Sequence, residues 1–297
     1  DGDPRPKDLR LTQTRAYDLA QPARRTGIAV FNSPHSGARY TGAFLRESLL
    51  DAQTLRSSED AFVDDLFAAA PDHGAPLLKA VAPRAFVDLN RAETELDPAI
   101  IAVAPKSGTN PRLAAGLGVI PRVVSEGRAI RSGKMSMLEA QKRLDQFYHP
   151  YHRQLGRLIS ATLRMSGACV LYDCHSMPHD AVRAQTPRSQ GTPDIVLGDR
   201  FGASCASWIT DAATRAFERA GFRVARNTPY AGGHITSHYG RPERQVHALQ
   251  IEIDRSLYMD EKRIERSDGF LDVQARLSDV VGALATLHPD TLPMAAE

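Results

Sequence analysis

Four short polar clusters carry most of the groups able to do chemistry in this chain: Ser33-Pro34-His35-Ser36-Gly37, Asp88-Leu89-Asn90-Arg91, Asp173-Cys174-His175-Ser176 and Glu252-Ile253-Asp254-Arg255. Each follows an apolar run of strand character. Side chains alternate across a strand, so Asp173 and His175 share one face and Cys174 takes the other. A histidine at a strand mouth, with a carboxylate two residues back, has the pattern of a metal ligand whose ring is oriented by a second group. His35 repeats the theme in a turn stiffened by Pro34 and opened by Gly37. Two histidines call for a third donor, because hydrolytic zinc takes three protein ligands and leaves one position for water. Acids in Ser58-Glu59-Asp60-Ala61-Phe62-Val63-Asp64-Asp65 are the candidates. An N-cap at Ser57 or Ser58 predicts Glu59 and Asp60 in the first helical turn, with Asp64 one turn on and on the face of Asp60. The helix dipole alone favours acids there, so spacing leaves the choice among them open.

Gln250-Ile251-Glu252-Ile253-Asp254 alternates apolar and polar, and an acidic face at the end of a buried strand is costly unless paired or used. Glu252 is therefore a candidate general base, or else the partner of an arginine. Arg91 and Arg255 each follow such a strand. Arginine grips carboxylates bidentately, so two of them near a metal point to an acidic substrate; taken singly, either could simply neutralise Asp88 or Asp254. The segment Tyr230-Ala231-Gly232-Gly233-His234-Ile235-Thr236 is glycine-rich but lacks the patterns that cradle phosphate. Its glycines admit a close ligand, His234 and Thr236 are candidate ligand contacts, and His234 is also a rival metal donor. His73, His149, His152, His179, His247 and His288 read as packed or solvated.

The elements that must position these groups alternate between strand and helix. Strands are predicted over 27–32, 76–82, 85–89, 168–173, 194–197 and 246–253, and helices over 42–50, 61–70, 136–166, 205–220 and 269–287, with Pro150 breaking or kinking the longest. Alternation of this kind predicts an α/β protein with a mixed, largely parallel sheet flanked by helices. In such sheets ligands sit beyond the carboxyl ends of the strands, where all four clusters fall. The chain reads as a single domain over 1–297 with a loop-rich insertion around 93–134, rich in Pro, Gly and Arg. With 37 Lys+Arg against 35 Asp+Glu, interleaved rather than striped, there is no electrostatic case for nucleic acid. No apolar run approaches the ~20 residues that span a bilayer, and the polar start Asp1-Gly2-Asp3-Pro4-Arg5-Pro6 has no secretory h-region. Three scattered cysteines (Cys169, Cys174, Cys205) make no disulfide framework. The expectation is a cytoplasmic protein without a membrane or nucleic-acid partner, of open oligomeric state.

The clusters Pro34-His35-Ser36-Gly37, Ser58-Glu59-Asp60-Ala61-Phe62-Val63-Asp64, Val87-Asp88-Leu89-Asn90-Arg91, Asp173-Cys174-His175-Ser176-Met177-Pro178, Tyr230-Ala231-Gly232-Gly233-His234 and Ile251-Glu252-Ile253-Asp254-Arg255-Ser256-Leu257-Tyr258-Met259 resemble, in order, those of the N-formylglutamate amidohydrolase family. That family is similar in fold to zinc-dependent carboxypeptidases and aspartoacylase-type deacylases, which implies a zinc-dependent exopeptidase-like (phosphorylase/hydrolase-like) architecture. The resemblance implies one zinc held by His35, His175 and a carboxylate, with Glu252 as base and Asn90 and Arg91 on the substrate. In those relatives the carboxylate ligand follows the first histidine by three residues, where this chain has Ala38. Asp60 is accordingly chosen over Glu59 and Asp64. The implied reaction is hydrolysis of the N-acyl amide of an acidic amino acid, N-formyl-L-glutamate foremost, with His234, Thr236 and Arg255 as further substrate contacts. A cysteine hydrolase built on Cys174 and a non-catalytic binder of an acidic amino-acid derivative are the rival readings.

Overall fold

The computed structural model describes residues 15–102, 110–186 and 191–288. A seven-stranded sheet organises them. Its strands are β1 (Tyr17–Ala20), β2 (Ala29–Ser33), β3 (Leu77–Ala80), β4 (Cys169–Met177), β5 (Ile195–Gly198), β6 (Val224–Arg226) and β7 (Val246–Asp254), in the order β1-β3-β2-β4-β7-β5-β6. β3, β2, β4 and β7 run parallel, while β1 lies antiparallel to β3 and β5 antiparallel to β7. The expected mixed, largely parallel sheet flanked by helices is the fold.

Alternation along the central strands sorts the two faces. Phe31, Tyr172, Cys174, Ile251 and Ile253 point into a core shared with the helices Ser207–Arg219 and Phe270–Ala285. Phe31 stacks on Tyr172 at 4.9 Å between ring centroids. On the other face Val30, Leu171 and Ala248 pack against Tyr151, Leu155 and Leu158 of the helix His149–Ser166. The same face turns polar further along. Asn32, Asp173 and Gln250 pair in register across β2, β4 and β7, and His175 and Glu252 form the next step of the β4–β7 ladder. Apolar cover ends where these rows begin, so the polar groups converge at the carboxyl ends of parallel strands.

Three local expectations are revised. Residues 85–89 form no strand: Phe86 N and Val87 N both donate to Pro83 O, and the resulting tight turn aims Asp88 into the site. Pro150 neither breaks the long helix nor stands as its first residue; a π-turn over Leu144–Tyr148 precedes it, and the helix continues to Ser166. The wider turn relieves the clash that a proline ring makes with the carbonyl four residues back. Finally, helix does not begin at Glu59 but at Val63, behind a left-handed Phe62 (φ 66°). The insertion around 93–134 carries only short elements among the described residues, Pro111–Ala114 and Ser125–Gly127, and its residues 103–109 lie outside them. Among the described residues no helix is long and apolar enough to cross a membrane.

Candidate active site

His35 leaves the end of β2 in a turn that runs against the neighbouring backbone. A Cβ on Gly37 would lie 2.1 Å from Ala82 O, so only glycine fits there. Asp60 N donates to His35 O at 3.1 Å and fastens the segment after Ser58 to that turn. Asp60 thus reaches the histidines from a run of turns between two short helices rather than from within a helix. Its two acidic neighbours go elsewhere: Glu59 takes Arg56 Nε at 2.9 and 3.1 Å, and Asp64 faces Lys79 Nζ at 3.5 Å.

His35, Asp60 and His175, all buried, bring one potential ligand atom each within 4.8 Å of one another. Asp60 Oδ2 lies 2.8 Å from His175 Nδ1 and 3.4 Å from His35 Nδ1. The opposite ring nitrogens meet other carboxylates: His35 Nε2 donates to Asp88 Oδ1 at 2.7 Å, and His175 Nε2 is 3.1 Å from Asp173 Oδ1. Carboxylates on both outer nitrogens fix each ring with Nδ1 facing the centre. Among the described residues the buried His35 Nδ1 finds no hydrogen-bond partner, an orphan that costs free energy unless something occupies the centre. Two inward nitrogens and a carboxylate oxygen are the donor set of a divalent cation, so the residues present fit a metal ion. Burial alone would raise the Asp60 pKa, yet the hydrogen bond from His175 and the neighbouring His35 imidazole hold it well below the carboxylate range.

Glu252 stands beside this group. Gln250 Nε2 donates to its Oε1 at 2.8 Å, while Gln250 Oε1 accepts from Gly233 N at 2.8 Å. Burial is the chief influence on the Glu252 carboxyl and pushes its pKa up to about 7. Asn90 ties the turn after Asp88 to both sides of the site: its Nδ2 is 3.1 Å from His175 Nε2, and its Oδ1 accepts from Ile235 N at 2.7 Å. Gly233 passes so close to this amide that a Cβ there would fall 2.6 Å from Asn90 Nδ2.

These groups open into a cavity of about 550 Å³ whose lining includes His35, Asp60, Asn90, Arg91, His175, Glu252 and Arg255. The Arg255 guanidinium is already engaged, with Nη2 on Asp60 Oδ1 at 2.9 Å and Nε on Ser176 Oγ at 3.0 Å. His234 and Thr236 are not among the lining residues. Thr236 Oγ1 donates to Gly233 O at 2.9 Å, and His234 Nε2 lies 3.4 Å from Tyr148 Oη, on the far side of Asn90 and Arg91. Asp254, on the Glu252 face of β7, pairs with His179 Nδ1 at 2.7 Å instead. Cys174 is buried, and burial carries its thiol pKa well above the usual range, which removes the nucleophile of the cysteine reading.

Sequence reasoning missed two residues of the site. Arg84 lines the cavity and donates from Nε to Asp88 Oδ2 at 3.0 Å, and its Nη groups have no hydrogen-bond partner among the described residues. A strand over 85–89 would have left it outside; the turn at Pro83 brings it in. Gln250 shares the parity of Glu252, so the strand alternation already carried its signal.

A largely parallel sheet whose strand ends gather two histidines, several carboxylates and several arginines around one cavity defines a hydrolase-type α/β enzyme. Residues 28–259 match the family model of N-formylglutamate amidohydrolase. N-formylglutamate deformylases of Pseudomonas putida and Pseudomonas aeruginosa are 30% and 32% identical over 238 and 240 residues, each alignment covering 78% of this chain and 82% of the relative. The crystal structure of N-formylglutamate amidohydrolase from Ralstonia eutropha JMP134 superposes with a TM-score of 0.85 at 34% identity, covering 91% of this chain and 96% of that one. The Agrobacterium tumefaciens gene product Atu2144, 18% identical with a TM-score of 0.59, shares the fold over 92% of this chain and 95% of its own. The chain belongs to the N-formylglutamate amidohydrolase family.

Proposed function

We propose that this protein is a zinc-dependent amidohydrolase of the cytoplasm that cleaves N-formyl-L-glutamate with water to L-glutamate and formate. The observation that carries the reading is the convergence of His35, Asp60 and His175 beside Glu252, in a family whose Pseudomonas members are deformylases of that compound. His35 Nδ1, His175 Nδ1 and Asp60 Oδ2 would hold the ion. When bound, zinc polarises an acyl carbonyl and lowers the pKa of water towards ~7.

The chain's own groups supply the rest. Glu252 Oε1 is occupied by Gln250 Nε2, so Oε2 is the atom that takes the proton of the attacking water. As the new carbon–oxygen bond forms and the carbon–nitrogen bond breaks, Glu252 returns that proton to the departing amine. Arg84, anchored through Nε to Asp88, directs its Nη donors at the charge that develops on the carbonyl oxygen. Arg91 Nη2, free of partners among the described residues, grips a substrate carboxylate and turns binding into orientation. Arg255 holds Asp60 in place.

The test is formate and amine release from N-formyl-L-glutamate by zinc-loaded protein, with a chelated sample in parallel. Release that stops on chelation and returns with zinc supports the reading. Release indifferent to chelation overturns the metal, and release only from other N-acyl amino acids overturns the substrate.

A further inference from the structure

N-formyl-L-glutamate carries two carboxylates, both ionised at neutral pH, and Arg91 can grip only one of them. The other arginines near the centre each have an acid as partner, Arg84 with Asp88, Arg255 with Asp60 and Arg122 with Asp97, and the free Nη groups of Arg84 are assigned to the reacting carbonyl. Arg112 is the exception. It lines the same cavity, and among the described residues no acid or carbonyl meets its guanidinium.

Its position relative to Arg91 is built rather than incidental. Leu117 joins the two, its N donating to Arg112 O at 2.8 Å and its O accepting from Arg91 Nε at 3.0 Å. Asn110 Oδ1 accepts from Arg112 N at 2.9 Å, and Asn110 Nδ2 donates to Glu95 Oε2 at 3.2 Å. Glu95 in turn accepts from Ala92 N, next to Arg91, at 3.0 Å. The segment bearing Arg112 is therefore laced to the turn bearing Arg91 at both of its ends. Asp88 favours the charge of Arg91, but burial and the guanidiniums of Arg84 and Arg112 bring its pKa below the usual value. Two like charges held against one cavity repel until an anion lies between them.

We propose that Arg112 is a specificity-determining residue that receives the side-chain carboxylate of an N-acyl glutamate while Arg91 receives the α-carboxylate. The assignment follows from order along the site. Arg91 adjoins Asn90, which touches His175, whereas Arg112 is linked to the centre through Arg91 and Leu117. The α-carboxylate is the nearer of the two to the scissile amide, so it belongs to the nearer arginine. The proposal rests on the deformylase reading for its substrate.

The experiment compares wild type and Arg112→Ala, both zinc-loaded, on N-formyl-L-glutamate and N-formyl-L-glutamine. Loss of a charge-assisted pair predicts a fall in kcat/KM of about 10- to 100-fold on the glutamate compound, chiefly in KM, with less than about a twofold change on the glutamine compound. Arg112→Lys should recover part of the loss on the glutamate compound alone. Equal losses on both compounds, or no loss on the glutamate compound, overturn the proposal. Calorimetric titration with L-glutamate and L-glutamine separates it from the parent reading. If wild type turns over neither formyl compound, the deformylase reading fails. A selective loss of L-glutamate affinity in Arg112→Ala still upholds the role of Arg112, and unchanged affinity rejects it.

Discussion

Two clusters of histidines flank the turn Leu89–Arg91, and they differ in what surrounds them. His35 and His175 sit among Asp60, Asp88 and Asp173. Burial opposes protonation of His175, but Asp173 and Asp60 outweigh it and hold its pKa well above the usual value. On the other side His152, His234 and His238 pack with Tyr148 and Tyr239. There burial, followed by the neighbouring His234, pushes the His152 pKa down to about 3. The first cluster gathers negative charge around inward-facing nitrogens and suits a cation. The second braces the turn: Tyr148 Oη donates to Arg91 O at 2.8 Å, and His152 Nε2 donates to Leu89 O at 2.9 Å. Partners, more than residue type, separate a ligand from a brace.

The sharpest way to break this contrast is to empty the first cluster. His175→Ala should lose stoichiometric zinc, measured by elemental analysis, and with it all turnover; zinc retained at full occupancy would remove His175 from the centre. Glu252→Gln comes next. It should keep the metal and bind substrate normally, yet lower kcat by about 10²- to 10⁴-fold, the span of a general base. Single-turnover rates on the zinc-loaded variant check this, and a near-normal kcat would assign the base elsewhere.

Much of the first cluster was legible because strand alternation is a strict rule. Asp173 with His175, and Gln250 with Glu252, share a face by parity alone, and the strands that carry them are long and apolar. Asp60 was harder. A helical reading of Glu59 to Asp64 could not separate three acids, and what separates them is a tertiary hydrogen bond from Asp60 N to His35 O together with a left-handed Phe62. Ala85 to Leu89 is apolar enough for either a strand or the turn that follows Pro83. Deciding it takes Pro83 O as acceptor and Asp88 N bonding to Val119 O, across a stretch that sequence pattern does not connect. β1 and β6 escape a sequence reading for a simpler reason: at 4 and 3 residues on the sheet edges, mostly half-buried, they are too short to show a period.

A smaller effect probes the carboxylates behind the ligands. Asp88→Asn keeps the shape but removes the charge that orients His35 and steadies Arg84. Losing such an outer partner costs about 10- to 100-fold in metal affinity, to be read by competition with a chromophoric chelator. An unchanged affinity would mean that the His35 ring is held by packing alone, and the contrast between the clusters would then rest on Asp60 and Asp173.

The smallest effect is expected at His234, and it tests the contrast from the other side. In sequence His234 rivals His35 and His175, since it follows two glycines in a segment that admits a close ligand. Among the described residues the one polar contact of its side chain is Tyr148 Oη at 3.4 Å, near the limit of a hydrogen bond. Burial and then His238 lower its pKa, so it is neutral and has no charge to offer a substrate carboxylate. His234→Ala should therefore retain full zinc and change kcat/KM by no more than the ~1 kcal/mol of one modest hydrogen bond. Loss of zinc in this variant would make His234 a ligand. It would then have to swing past Asn90 and Arg91 into the cavity, and the division between a metal-binding cluster and a bracing one would collapse.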